Sequence, residues 1–349
     1  MKQQSTATYD NANRKQKTEL FRLSEFESRF SKVQHRAFLN KHLPHVNVEL
    51  DAADETWLLL DEETIAGHFS LWYCETPALN GKTTGFVGHY YAKNGEVGKQ
   101  LLDAASGLLK EYGCEFVVGP VDGNTWRRYR LVCGTTTVPR FLMEPENPME
   151  YPGHFIESGF EAIATYSSSI MDVQPQFLDA AKTEASPEES RILSRVTIRP
   201  VDLDNFENEL HTIYGIACDA FGDAFLYAEI SELEFIARYN RLRQIVNPEL
   251  VLIAEYNKHA VGFILAVPDP ANSNSSIKTV IAKTIGRIKD DRFRGLGALL
   301  MAECHRRADK LGFSRMIQAL YKDDNSSSIY STLHNAHVFR KYAVYGKQL

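Results

Sequence analysis

The stretch Val280–Leu300, VIAKTIGRIKDDRFRGLGALL, decides how this chain is read. Its first part, Val280–Ile288, is rich in β-branched residues and reads as a strand. Its last part opens a helix, because Leu296, Leu299, Leu300, Cys304, Ala308 and Leu311 fall along one face. Between them lies Arg292-Phe293-Arg294-Gly295-Leu296-Gly297-Ala298, a glycine-rich passage from strand into helix. The first turn of a helix carries N–H groups that have no acceptor within the helix, at the positive end of the macrodipole. An anion can take those hydrogen bonds where no side chain blocks its approach. Gly295 and Gly297 leave the approach open, and Ala298 is nearly as small. Arg292 and Arg294 offer charge-assisted donors, and Lys283, Arg287 and Lys289 make the preceding segment basic. The same letters also suit an ordinary tight turn with solvated basic neighbours. Two other phosphate loops fit worse: GxxxxGK[ST] is absent, and Leu300 stands where the dinucleotide fingerprint needs its third glycine.

Working outward, Gly312 ends the helix and Ser314–Leu320 reads as the next strand. Upstream, Leu250–Glu255 and Ala260–Val267 form a hairpin pattern around Tyr256–His259, residues 204–245 are helical in pattern, and Val196–Arg199 starts a strand. The first half runs in a similar order. Thr56–Leu60 and Ile65–Tyr73 read as a hairpin and Gly85–Tyr91 as a strand. Val97, Leu101, Ala105, Leu108 and Tyr112 then mark a helix that Gly113 ends, and Glu115–Val118 and Phe160–Ile170 read as further strands. Leu20–Leu43 reads as helix. The expectation is an α/β (α+β) chain of two similar domains, each a central mixed β-sheet flanked by helices. They are placed at 18–172 and 196–349, with 173–195 as a charged linker containing Pro187.

A hydrophobic fraction of 44% over 349 residues is ample for more than one core. The formal net charge of -6 gives no general attraction to nucleic acid or acidic lipid, so neither is expected as a partner. Cys74, Cys114, Cys133, Cys218 and Cys304 contain no CxxC pair and read as free thiols. Together with a polar N-terminus lacking an apolar signal segment, this points to the cytoplasm. No run has the length of a membrane span, and no cluster has zinc-ligand spacing. Trp126-Arg127-Arg128-Tyr129-Arg130 reads as a helix side with structural ion pairs, with contact to an acceptor carboxylate as the alternative.

The second half resembles the GNAT superfamily of acyl-CoA-dependent N-acyltransferases. That family's [Arg/Gln]-x-x-Gly-x-[Gly/Ala] pattern is met by Arg292, Gly295 and Gly297. The strand ending IQAL before Tyr321-Lys322-Asp323-Asp324-Asn325, and the closing VFRKYAVYGKQL, look like the elements that follow. The first half resembles the same domain with a decayed loop: aligning Gly98 with Gly297 sets Lys93 opposite Arg292 and Glu96 opposite Gly295. The resemblance covers about residues 18–349. It implies a tandem protein with a degenerate N-terminal copy, binding acetyl-CoA or another acyl-CoA in the second domain. The implied cofactor contacts are Ile285, Gly286, Arg287 and Ile288 on a splayed strand, then Arg292, Arg294, Gly295, Leu296, Gly297 and Ala298 in the loop, with Asn325 beyond.

The implied reaction is direct attack of a neutral primary amine, on a small molecule or peptide, upon the thioester. No cysteine nucleophile is then needed, and Cys304 reads as a core residue on its helix face. A general-acid tyrosine at the family's spacing from Asn325 would fall on Thr332, with Tyr330 two positions out of phase, so the tyrosine candidate becomes Tyr321, with His334 and His337 as further polar groups and Glu255, Asp219 or Asp223 as the base. No metal is expected. Association into a homo-oligomer is left open. The alternative reading is a non-catalytic acyl-CoA-binding or scaffold protein.

Overall fold

A computed structural model describes residues 18–27, 51–61, 64–134, 137–175, 187–270, 277–325 and 336–349. By contact these group into two compact units. One holds residues up to Cys133, Pro145–Ala164 and Ala343–Leu349, and the other holds Gly134–Glu144 and Thr165–Tyr342.

In the first unit, β1 (Thr18–Arg22), β2 (Glu55–Asp61), β3 (Thr64–Trp72) and β4 (Thr84–Ala92) form an antiparallel meander. Helix α2 (Gly95–Glu111), which follows the short α1 (Leu23–Glu27), then carries the chain over to β5 (Phe116–Gly119), which lies parallel to β4. The helix forms where the apolar spacing requires it: Val97, Leu101, Leu102, Ala105 and Leu109 are buried, and Gly113 leaves it at φ +84°. The expected helix over Leu20–Leu43 is corrected at its start. Thr18–Arg22 pairs with β2 as a strand, because an available sheet edge outweighs a weak local preference; residues 28–43 lie outside the described residues. A second correction concerns Trp126–Arg130, which is irregular backbone rather than helix. Its arginines do make ion pairs, Arg127 with Asp51 at 3.2 Å and Arg128 with Asp122 at 3.8 Å.

In the second unit the sheet order is β7-β12-β11-β10-β9-β8. These strands are β7 (Glu161–Asp172, from Thr165 onward), β8 (Thr197–Pro200), β9 (Val251–Tyr256), β10 (His259–Pro268), β11 (Thr279–Arg287) and β12 (Arg315–Lys322). Strands β11 and β12 are parallel and the other pairs antiparallel. After α3 (Tyr151–Glu157) in the first unit come α4 (Pro187–Leu193), α5 (Phe206–Phe221), α6 (Glu232–Tyr239) and α7 (Leu296–Lys310) here. Helices α5 and α7 both pack on β10 and β11. Leu296, Leu300, Cys304 and Ala308 of α7 are buried against Leu252, Ile264 and Val280, so Cys304 is a core residue as its place on the helix face suggested.

Each unit takes its last strand from a distant part of the sequence. In the first, β5 is paired by the end of β13 (His337–Gln348), from Tyr345↔Gly119 to Gln348↔Phe116, and β6 (Leu131–Cys133) also pairs with β13. In the second, β12 is paired by β7, from Arg315↔Asp172 to Lys322↔Tyr166. Each unit is thus a mixed sheet flanked by helices. Among the described residues no helix is long and apolar enough to cross a membrane, and no group of His, Cys, Asp or Glu is placed to hold a metal ion.

Candidate functional site

The parallel pair at the middle of the second unit comes apart. Strands β11 and β12 are in register from Thr279↔Arg315 to Ala282↔Gln318 and no further. Beyond that point β11 stays with β10 through Arg287↔Gly262, while β12 stays with β7 through Lys322↔Tyr166. The β12–β7 register shifts between Gln318 and Tyr321, and Leu320 sits at φ +57° in the shift. The β11 stretch Thr284–Arg287 therefore has a ladder partner in β10 and none in the β12 register. Ile285, Gly286 and Arg287 lie on this stretch. Ile288 follows it, and its N–H already donates to Val261 O at 3.0 Å. Gly286 is small for the protein's own packing, since a Cβ there would come within 2.8 Å of Phe263.

The loop after β11 is held from several sides. Arg287 Nη1 donates to the carbonyls of Ile288 at 2.8 Å and Asp290 at 3.0 Å, strapping the turn. The Lys289 N–H donates to the Asp219 carboxylate at 2.5 Å, and its ammonium meets Asp223 at 2.5 Å. A 3-10 turn over Asp291–Phe293 buries Phe293 edge-on to Tyr256. The Asp290 carboxylate accepts the Arg292 N–H at 2.9 Å and also grips the Arg292 guanidinium, with Nε at 2.9 Å and Nη2 at 2.5 Å. This mutual bonding pulls the Asp290 carboxyl below the usual range and raises Arg292 further. Arg294 is exposed, 3.4 Å from Asp291 and 3.9 Å from Glu189.

Gly295 then turns the chain into α7 at φ +84°, a left-handed conformation that suits glycine, and it supplies no side-chain cap. Leu299 is the residue whose N–H reaches back to Gly295 O, at 3.1 Å. Leu296, Gly297 and Ala298 precede it in the first turn, where the helix supplies no acceptor. Leu296 and Ala298 are buried and Gly297 is half-buried. A Cβ built at Gly297 would find its nearest neighbour, Ile285 Cδ1, at 3.8 Å, so no protein atom crowds that position. The residues present therefore suit a diphosphate: bare amides at a helix start, a small residue with Ile285 in no more than van der Waals reach, and arginine in the preceding loop.

The first unit contains a helix start that is capped and crowded. At the start of α2, Asn94 Oδ1 accepts the Val97 N–H at 3.0 Å, so the helix caps itself. A Cβ at Gly98 would meet His154 Nδ1 at 2.5 Å and Tyr90 Oη at 2.7 Å, two groups already bonded to each other at 3.0 Å. Strands β4 and β5 also part, after Phe86↔Val118, but the gap is occupied by the chain itself. Val121 N–H donates to Val87 O at 2.9 Å, the His89 N–H donates to Asp122 at 2.6 Å, and a Cβ at Gly88 would meet Val121 O at 2.2 Å.

The remaining expected residues are dispersed. Glu255, at the end of β9, accepts from Arg199 Nε at 2.7 Å, and the same guanidinium bonds the buried Glu209 at 2.7 Å. That engagement makes Glu255 a member of an ion-pair cluster. Tyr321 is buried on β12 beyond the point where the strands part. Asn325 follows β12, its N–H donating to Lys322 O at 3.2 Å. His334, Tyr330 and Thr332 lie outside the described residues. A chain of buried polar side chains, none of them expected from the sequence, lies at the parting of the strands. Leu320 N–H donates to Ser168 Oγ at 3.0 Å, Ser168 Oγ lies 3.0 Å from Tyr342 Oη, and Tyr342 donates to Glu144, which also pairs with Arg340 at 3.1 Å. Burial pushes the Glu144 carboxyl up, opposed by Tyr342 and Arg340, and burial also raises the Tyr342 phenol. A run of serines in a strand, Ser167-Ser168-Ser169, was the available signal.

Comparison with known proteins places the fold. No family model matches the chain. A GCN5-related N-acetyltransferase from Anabaena variabilis superposes with a TM-score of 0.51 at 7% identity, covering 95% of this chain and 72% of that one. The likeness is one of fold: the mixed sheet with flanking helices is GNAT-like. In sequence the chain is 23% identical over 194 residues to Protein YghO of Escherichia coli, covering 54% of this chain and 48% of that protein. It is 21% identical over 197 residues to a bacterial ceramide synthase of Caulobacter vibrioides, covering 54% of this chain and 50% of that protein. The chain thus spans about half the length of these curated relatives.

Proposed function

We propose that the second unit binds an acyl-coenzyme A and transfers its acyl group to a primary amine. The observation that carries this reading is the uncapped start of α7, Gly295–Ala298, beside a β11 stretch whose second edge has no ladder partner. The helix start suits the diphosphate, and the open strand edge offers backbone groups to an amide-bearing arm. Arg292 and Arg294 supply positive charge at the loop, and Asn325 stands beyond β12. In the reaction a neutral amine forms a C–N bond at the thioester carbonyl, the C–S bond breaks, and a proton passes from the amine to the leaving thiolate. Tyr321, on the parted side of β12, is the proposed relay: its phenol gives a proton to the thiolate and is restored by the proton the amine loses. The first unit is read as a degenerate copy whose loop is filled by His154 and Tyr90.

The acyl donor is acetyl-CoA in the first instance. One relative is named a ceramide synthase, so the test includes a long acyl-CoA and a long-chain amino alcohol among small-molecule and peptide amines. Titration calorimetry with acetyl-CoA and a long acyl-CoA, followed by free-thiol release with each amine, tests the reading. Saturable binding with amine-dependent thiol release is expected. Binding without release under any amine would leave the binding-protein reading, and no binding would remove both.

A further inference from the structure

We infer that Asp290 is an internal competitor for the phosphate-binding arginine and sets the affinity of the loop for its diphosphate ligand. The inference rests on the acyl-CoA reading and deepens it. Arg292 is the loop's arginine at the position where the family resemblance puts a cofactor contact, yet its exposed guanidinium is already engaged by a carboxylate. The Asp290 carboxylate engages it side-on, at 2.9 Å and 3.1 Å from Nε and 2.5 Å from Nη2, in the way a phosphoryl group would. The same carboxylate accepts the Arg292 N–H at 2.9 Å, so one side chain both shapes the 3-10 turn and neutralises the charge. Asp291 does something similar, more loosely, for Arg294 at 3.4 Å. A diphosphate arriving at the start of α7 therefore meets a fixed carboxylate beside the guanidinium it needs. It must displace that carboxylate or share the arginine with it. Both side chains are solvent-accessible, with exposures of 64% for Arg292 and 27% for Asp290, so the exchange needs no opening of the core.

The competing role of the carboxylate is separable from its role in the turn. Asparagine can accept the Arg292 N–H as aspartate does, but carries no charge. For Asp290→Asn the expected result is a fall in the Kd of coenzyme A of roughly twofold to fivefold, the range of an exposed charge pair. The gain shrinks as salt is raised. Acetyl-pantetheine, which lacks the diphosphate, shows no gain. In an Arg292→Gln background, Asp290→Asn gives at most a small residual gain, because the competed-for group is gone. Unchanged or weaker coenzyme A binding by a folded Asp290→Asn protein, or an equal gain for acetyl-pantetheine, overturns the inference while leaving the acyl-CoA reading intact. Failure of the unaltered protein to bind coenzyme A overturns both.

Discussion

At the scale of single residues, two glycines near the starts of α2 and α7 carry opposite expectations. Gly297→Ala meets nothing nearer than 3.8 Å, so it should leave thermal stability unchanged or slightly raised. Gly98→Ala would drive its methyl against the bonded pair His154 and Tyr90, and is expected to lower stability by about 1–3 kcal/mol. Thermal melts of the two variants side by side check the contrast, and equal behaviour would remove the difference drawn between the two helix starts. A bulky anion at the first position, Gly297→Glu, is expected to cut coenzyme A affinity more than about tenfold with an unaltered melt, since it adds charge repulsion and obstruction together. The glycines were legible in sequence because backbone permissiveness belongs to the residue itself. The grip of Asp290 on Arg292 was not. A run of alternating charges looks the same whether it is solvated or bonded.

At the scale of elements, the chain Leu320–Ser168–Tyr342–Glu144 lies where β11 and β12 part. Tyr342→Phe removes the donor to a buried carboxylate and is expected to cost about 1–3 kcal/mol in a denaturant titration. A loss near zero would mean that Tyr342 is not needed there. The Glu144 carboxyl titrates above its ordinary value in the folded state, so between the ordinary and the raised value the folded protein holds more protons than the unfolded one. Stability from this group is then greatest at low pH and declines as pH rises through that window. Glu144→Gln should flatten that decline. Measured unfolding free energies for both proteins across the window decide it, and parallel profiles would contradict the assignment. Strands and helices were readable here because their apolar periods are local. The bulge at Leu320 was hidden, since the hydroxyl that accepts its N–H belongs to Ser168, 152 positions away in the chain.

At the scale of the whole molecule, the sheet of each unit is completed by a strand from elsewhere in the sequence. The expectation of two domains in series followed from elements recurring in similar order, but adjacency in sequence does not say which strand closes which sheet. Ala343 and Tyr345 lie in the first unit's core although they stand near the last residue. Removing Ala343–Leu349 is therefore expected to unfold the first unit, seen as loss of slow amide exchange in α2 and β5. Persistence of that protection would show that the last strand is dispensable. A fragment of residues 1–172 alone should fail in the same way, for want of the strand beside β5.

The central claim is that the backbone N–H groups at the start of α7 receive a diphosphate. Amide hydrogen exchange, measured with and without saturating coenzyme A, tests it most directly. The account predicts that coenzyme A slows exchange at Leu296, Gly297 and Ala298 and leaves Val97 and Gly98 as they were. Binding that protects other segments while these three exchange as before would contradict it.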